Sequence, residues 1–193
     1  MSQLFGLLIA CGLAIGGGFG LTFWSMDHAK DLIVHRAGVW AFYPQAGSPD
    51  ADPYQRAITA RDSTIPMGIG EGLALIATQD DLGRSLSGMC SYTISGRLPA
   101  ARMTSLSVYT RAGQVIPNPA NRFALTGADL VRDQNGEWTA TISAVPSSGN
   151  WLPMLTKRDV TLVLRLYGTP LSANASGLSP ASVPSVHQTG CTA

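Results

Sequence analysis

Few residues in this chain are equipped for chemistry, and most of them lie late. Asn150, Trp151, Leu152 and Pro153 follow a Ser147-Ser148-Gly149 loop, and Arg165 and Tyr167 stand two apart, on one face of any strand that contains them. An arginine beside aromatic rings can hold a carboxylate or phosphate through paired hydrogen bonds while stacking. The competing use is structural, with Trp151 plugging the end of a β-domain and Arg165 satisfying loop carbonyls. A lone cation on a strand more often does the latter.

Other constellations are weaker. The three histidines, His28, His35 and His187, all fall outside the strand-rich middle, so neither a Ser-His-Asp arrangement nor a histidine metal site is expected there. Asp80-Asp81, ahead of Leu82-Gly83, reads as a turn rather than a catalytic carboxylate pair. Gly68, Gly70 and Gly72 (GIGEG) lack the Lys-Ser/Thr of a phosphate loop and a βαβ setting. No catalytic residue, metal site or cofactor is therefore assigned. Thirteen Lys and Arg against twelve Asp and Glu give a net charge of +1, and no basic stripe points to nucleic acid.

These residues must be positioned by elements on one side of a membrane. Leu4 to Trp24 (LFGLLIACGLAIGGGFGLTFW) is an uncharged run long enough to cross a bilayer as a helix. A cleaved secretory signal would show a basic start, a shorter apolar core and a small-residue exit. The run instead follows Met-Ser-Gln and leaves through Phe23 and Trp24, so an uncleaved anchor is expected, with Trp24 at the interface. Gly12, Gly16 and Gly20 recur every fourth residue and form a stripe on which a second copy or another membrane subunit could pack closely. Glycine is also common in membrane helices generally.

Orientation draws opposing signals. Lys30 and Arg36 follow the run and favour a cytoplasmic C-terminal side. Cys11 lies inside the run, which leaves Cys90 and Cys191 to form a disulfide of the kind that persists in oxidising compartments. Cys90 could alternatively be a plain buried thiol. Cys191 ends a Ser-, Pro- and Gly-rich tail that would otherwise dangle, and a bridge would fasten it. The expectation from the residues is a single-pass protein with its domain outside the cytoplasm, in an oxidising compartment.

Past the anchor, His28, Leu32, Ile33, Ala37 and Trp40 predict that the helix continues with one apolar face until Gly38 or Tyr43-Pro44. Asp52 offers an N-cap and Pro53 a first helical position for a short helix carrying Tyr54, Ala57, Ile58 and Arg61. From Ile65 the period changes to two. Cys90, Tyr92 and Ile94 alternate with Ser91, Thr93 and Ser95; Leu106 and Val108 with Ser105, Ser107 and Tyr109. Trp138, Ala140, Ile142 and Ala144 form another such set, as do Leu162, Leu164 and Leu166. Asn135-Gly136 predicts a type I′ hairpin turn, with further turns at Asp80 to Gly83 and Arg111 to Gly113. The fold class is all-β: an antiparallel sandwich or jelly roll with an N-terminal transmembrane helix and one or two short helices.

Several motifs in this order resemble the DUF1214 family over roughly Ile65 to Pro170. Tyr92 and Gly96 fit its Tyr-x-x-x-Gly strand, and Ala101-Arg102 its Ala-Arg. Asn150 to Pro153 fit its Asn-Trp-Leu-Pro turn, and Arg165 to Tyr167 its Arg-Leu-Tyr strand. Met103 stands where the family often has a bulky aromatic. The resemblance implies a jelly-roll sandwich, a recurring Cys pair, a DUF1254 partner domain and, for a short version with one membrane helix, an envelope location, which makes the expected membrane a bacterial inner membrane with the domain in the periplasm. It implies no activity.

The expected organisation is a tip (1–3), an anchor (4–24), a juxtamembrane helix and linker (25–64), a sandwich (65–170) and a tail (171–193) tied by Cys191. Two functions fit: a non-catalytic interaction or accessory subunit of a membrane complex, and an envelope binder or hydrolase-like enzyme acting on an anionic sugar or lipid headgroup. The second would use Arg165, Tyr167, Trp151, Asn150 and Arg102, converging on one pocket.

Overall fold

A computed structural model describes residues 2–61, 66–172 and 178–191, and within these the side chains of residues 2, 26–33 and 172 are outside the described set. The expected apolar face of His28, Leu32 and Ile33, the charge of Lys30, and Ile65 as the start of the sandwich lie outside the described residues or side chains.

Helix α1 runs Ser2–Ile33 and contains Gln3–Ser25, long and apolar enough to cross a membrane. Among the described residues none of that stretch is buried. A helix apolar on all sides and uncovered by its own protein suits lipid, where its backbone groups are satisfied internally.

The helix does not continue to Trp40 as its spacing predicts. It gives way to a hairpin of β1 (His35–Ala37) and β2 (Trp40–Phe42), paired through Ala37 and Trp40. Gly38 has φ of 57°, as the first central position of a two-residue type II′ turn requires. Burial decides the contest of periods: Trp40 and Phe42, two apart, both enter the core. The Trp40 indole N–H donates to the Pro184 carbonyl at 2.7 Å. Helix α2 (Pro53–Arg61) begins as expected, with the Asp52 carboxylate accepting the Tyr54 N–H at 2.8 Å.

Two sheets form a sandwich-like arrangement. One has six strands in the order β1-β2-β3-β9-β5-β6, with β3 at Gly72–Ala77, β5 at Met103–Thr110, β6 at Ala124–Thr126 and β9 at Val160–Tyr167. The other has four in the order β10-β4-β7-β8, with β4 at Cys90–Gly96, β7 at Trp138–Ser143, β8 at Asn150–Pro153 and β10 at Ser185–Cys191. Leu75, Leu162, Leu164 and Leu166 from the first sheet and Tyr92, Ile94, Ala140 and Ile142 from the second form the core between them. The alternation read from the sequence thus marks the inward faces.

The tail is tied through Cys191 as expected, and what is tied is a strand: β10 pairs with β4 along its length, with a bulge between Gln188 and Gly190, and Val186 is wholly buried. The sheets therefore recruit strands from both sides of the 65–170 segment. The pairing is not wholly antiparallel, since β8 lies parallel to β7. The side chain of Asn150 makes this possible by binding the backbone of Val131 and Thr139 where β8 begins. The Asn135-Gly136 turn is not type I′. Gly136 has φ of 77° but Asn135 is not at positive φ, and the Asp133 carboxylate accepts the N–H groups of Asn135 and Glu137 at 2.9 and 2.8 Å. A single left-handed glycine after a capped turn matches a type I turn with a glycine bulge.

Candidate functional site

The three central strands of the six-stranded sheet bring their ends together in one row. Tyr167, at the end of β9, pairs with Gly72 at the start of β3 on one side and with Met103 at the start of β5 on the other. One step beyond, the Gly168 N–H donates to the Glu71 carbonyl at 2.7 Å, and the Arg102 N–H donates to the Tyr167 carbonyl at 2.9 Å. Glu71 and Arg102 therefore flank Gly168, separated by two inter-strand spacings, about 9–10 Å.

Two glycines shape the surface there. Gly168 has φ of 57°, and a Cβ at that position would lie 2.7 Å from Cδ of Arg102. The arginine stem is laid across the glycine. A Cβ at Gly72 would collide with the Leu166 carbonyl and would stand 2.6 Å from the terminal methyl of Met67. With both side chains missing, Met67 and Arg102 rise as walls around an open cleft of about 640 Å³, floored by Tyr167 and bordered by Gly70, Glu71 and Met103.

The cleft carries opposite charges that do not neutralise one another. Neither the Arg102 guanidinium nor the Glu71 carboxylate forms an ion pair among the described residues. One Glu71 oxygen accepts the Gly68 N–H at 3.1 Å, in a tight turn closed by the Glu71 N–H on the Gly68 carbonyl at 2.8 Å. The GIGEG segment is thus a turn that holds a carboxylate, and Tyr167 lines the same cleft.

The residues expected to converge are divided. Arg102 and Tyr167 line the cleft. Arg165 shares the face of Tyr167 but lies over the Tyr109 ring, 5.3 Å from its centroid, and donates to the Tyr109 hydroxyl at 3.1 Å. It satisfies a phenol rather than the expected loop carbonyls. Trp151 belongs to the other sheet, where its indole N–H donates to the Ser143 carbonyl and hydroxyl at 3.3 and 3.2 Å. Asn150 is buried, and its amide makes three hydrogen bonds to backbone, two with Val131 and one with Thr139. Gly12, Gly16 and Gly20 remain on the uncovered helix, where an added Cβ would meet nothing within 4 Å.

The acidic pair is structural. Asp80 is buried and accepts the backbone N–H groups of Leu82 and Arg84 at 3.0 and 2.8 Å and the Arg84 Nε–H at 2.7 Å. Burial works against its ionisation, but the Arg84 guanidinium and these N–H groups outweigh it and hold the carboxyl below the ordinary aspartate range. Asp81 fastens β10: its N–H donates to the Val186 carbonyl at 2.9 Å and its carboxylate accepts the Val186 N–H at 2.8 Å. Cys90 and Cys191 form a disulfide.

Sequence reasoning missed Glu71, Gly168 and Met67. Glu71 was visible as the charge inside a glycine-rich turn. Gly168 was visible as the glycine straight after the Arg-Leu-Tyr strand. Their adjacency depends on β3 pairing with β9, which the local pattern does not state.

The family is shown by one comparison and the fold is supported by another. Residues 71–171, more than half of the chain, match the family described as "Protein of unknown function (DUF1214)". The crystal structure of the VPA0106 protein from Vibrio parahaemolyticus matches at TM-score 0.58 and 19% identity, covering 72% of this chain and 36% of that one. A putative uncharacterized protein from Burkholderia cenocepacia matches at TM-score 0.42 and 16% identity, covering 93% of this chain and 51% of that one. The chain spans about a third and about a half of these two structures. No curated protein matches it. The matched residues run from Glu71 through Arg102 and the Arg-Leu-Tyr strand, and the chain belongs to the DUF1214 family.

Proposed function

We propose that this DUF1214 protein is a single-pass, membrane-anchored accessory subunit of a bacterial inner-membrane complex, with its sandwich in the periplasm and no catalytic role of its own. The observation that carries the reading is the long apolar helix, none of whose apolar stretch is buried among the described residues. Its glycine stripe, Gly12, Gly16 and Gly20, leaves room for a second helix backbone at close range, the packing that holds helices together in lipid. The partner is another membrane subunit, and a DUF1254 protein is the first to seek.

The periplasmic side is supported by the disulfide. Cys90 and Cys191 are register partners in β4 and β10, so the sheet itself brings them together, and such a bond endures where the surroundings are oxidising. This outweighs Lys30 and Arg36, two cations set against the whole fastening of β10.

Exchange of Gly16 for Ile tests the docking. A complex recovered in mild detergent should fall to the mass of the single chain when a branched side chain fills the stripe. A complex of unchanged size would sink the proposal, and one of twice the chain mass in the parent protein would assign the stripe to a second copy instead.

The alternative, an envelope binder or hydrolase-like enzyme for an anionic sugar or lipid headgroup, retains Arg102 and Tyr167 in the cleft. Arg165, Trp151 and Asn150 are committed elsewhere.

A further inference from the structure

The Glu71–Gly168–Arg102 row sets an acidic and a basic residue on either side of a position that has no side chain. A purely anionic ligand drawn to Arg102 would meet the Glu71 carboxylate, and a purely cationic one drawn to Glu71 would meet the guanidinium. A zwitterion satisfies both. Arg102 offers a planar fork suited to phosphate or carboxylate, while Glu71 and the face of Tyr167 suit an ammonium. The two charges are held apart by strand spacing, with a side-chain-free position between them. Gly168 is what keeps that saddle open, since a Cβ there would displace the Arg102 stem.

The position of the cleft selects the source of the zwitterion. The Arg61 guanidinium at the end of α2 lies 5.8 Å from the ring centroid of Phe23, in the last turns of the apolar stretch of α1. Met67, a wall of the cleft, follows Arg61 by six residues, at most about 20 Å of chain. Entry of the chain into the sheet agrees: His35 pairs with Phe42, Trp40 with Ala77 and Ala41 with Ile76, so β1 starts on the Gly72 side of its own hairpin. Met103 in the cleft lining is 51% exposed and Ile69, next to Gly70 in the chain, is 39% exposed, apolar surface of the kind that suits the acyl boundary.

We propose that this cleft binds the phosphoethanolamine-type headgroup of a membrane lipid, with Arg102 on the phosphate and Glu71 and Tyr167 on the ammonium. The choice of lipid over a free zwitterion rests on the anchored reading above; the pairing of charges does not.

The test is native mass spectrometry of the full-length, disulfide-bonded chain released from micelles doped with equal phosphatidylethanolamine and phosphatidylglycerol. The parent protein should retain phosphatidylethanolamine in preference. Arg102→Gln should lower its retention about tenfold, the value of one charge-assisted hydrogen bond set. Glu71→Gln should remove the preference and raise phosphatidylglycerol to parity. Both residues are exposed and form no ion pair among the described residues, so a thermal midpoint close to that of the parent verifies that each variant is folded. Equal retention of the two lipids by the parent, or variants that keep its preference, would overturn the site. Soluble glycerophosphoethanolamine binding as tightly as the lipid would overturn the assignment to a membrane source. A mass lacking α1 would instead count against the anchor, and is read separately from any lipid adduct.

Discussion

Cys191 lies directly opposite Cys90 across the β10–β4 pair, and the disulfide between them closes 101 residues of sequence. It therefore encloses most of both sheets and fixes an edge strand that buries little apolar surface beyond Val186. Asp81 grips the same strand at Val186, so β10 is held at both ends.

Exchange of Cys191 for Ser should leave the sheets formed but lower stability by about 4–5 kcal/mol in the chain-entropy account of a loop this long. Urea denaturation of the parent and the variant, each with and without reductant, measures it. The reduced parent should coincide with the variant. In intact cells the thiols of the parent should resist alkylation until reductant is added, and free thiols reached only after lysis would put the domain in the cytoplasm.

How much of this was legible beforehand varies with the range of the forces involved. Strands β4, β5, β7 and β9 were readable because each is long enough to show period two, and α2 because Asp52-Pro53 is a local signal. The hairpin of β1 and β2 was hidden because three-residue strands carry no period, and Ala37 with Trp40 mimics a helical face. Strand β10 was hidden because its one fully buried residue, Val186, sits among Ser, His, Gln and Thr. The cleft was half visible: Tyr167 came from its place two after Arg165 and Arg102 from motif likeness, while Glu71 joins them only through the register of β3 with β9.

Asp80 gives the fold an acid-sensitive point. Its folded pKa lies below that of the unfolded chain, so its contribution is present above the unfolded value, about 4, and is lost as pH falls through the folded value. Asp80→Asn should cost about 1–3 kcal/mol at neutral pH, the range for disturbing a buried hydrogen-bonded group, and should flatten the fall in stability below pH ~4. Asp129, held down chiefly by its hydrogen bond with the Thr126 hydroxyl, adds in the same direction. Stability curves for Asp80→Asn that keep the slope of the parent would remove Asp80 as its source.

Asn150 separates structural from ligand-binding roles among the motif residues. Asn150→Leu leaves the Val131 N–H and the Val131 and Thr139 carbonyls without the amide that met them, and should destabilise by about 1–3 kcal/mol per group left buried and unpaired. Lipid retention by the folded fraction should equal that of the parent. A loss of retention without a loss of stability would return Asn150 to the list of ligand contacts.

Tyr92 titrates in the opposite sense to Asp80. Burial raises its phenol pKa, partly offset by the Ser87 N–H that the hydroxyl accepts at 2.7 Å, and the hydroxyl in turn donates to the Ser87 carbonyl at 3.2 Å. The neutral phenol is therefore the folded form, and its contribution is complete below the unfolded value, about 10, and is lost as pH rises through the folded value. Alkaline titration followed by ultraviolet absorbance should show a late phase from Tyr92, in step with unfolding. Tyr92→Phe should remove that late phase and, by leaving the Ser87 backbone pair without its partner between the sheets, lower the thermal midpoint at neutral pH. A late phase that survives in Tyr92→Phe would assign it to another ring.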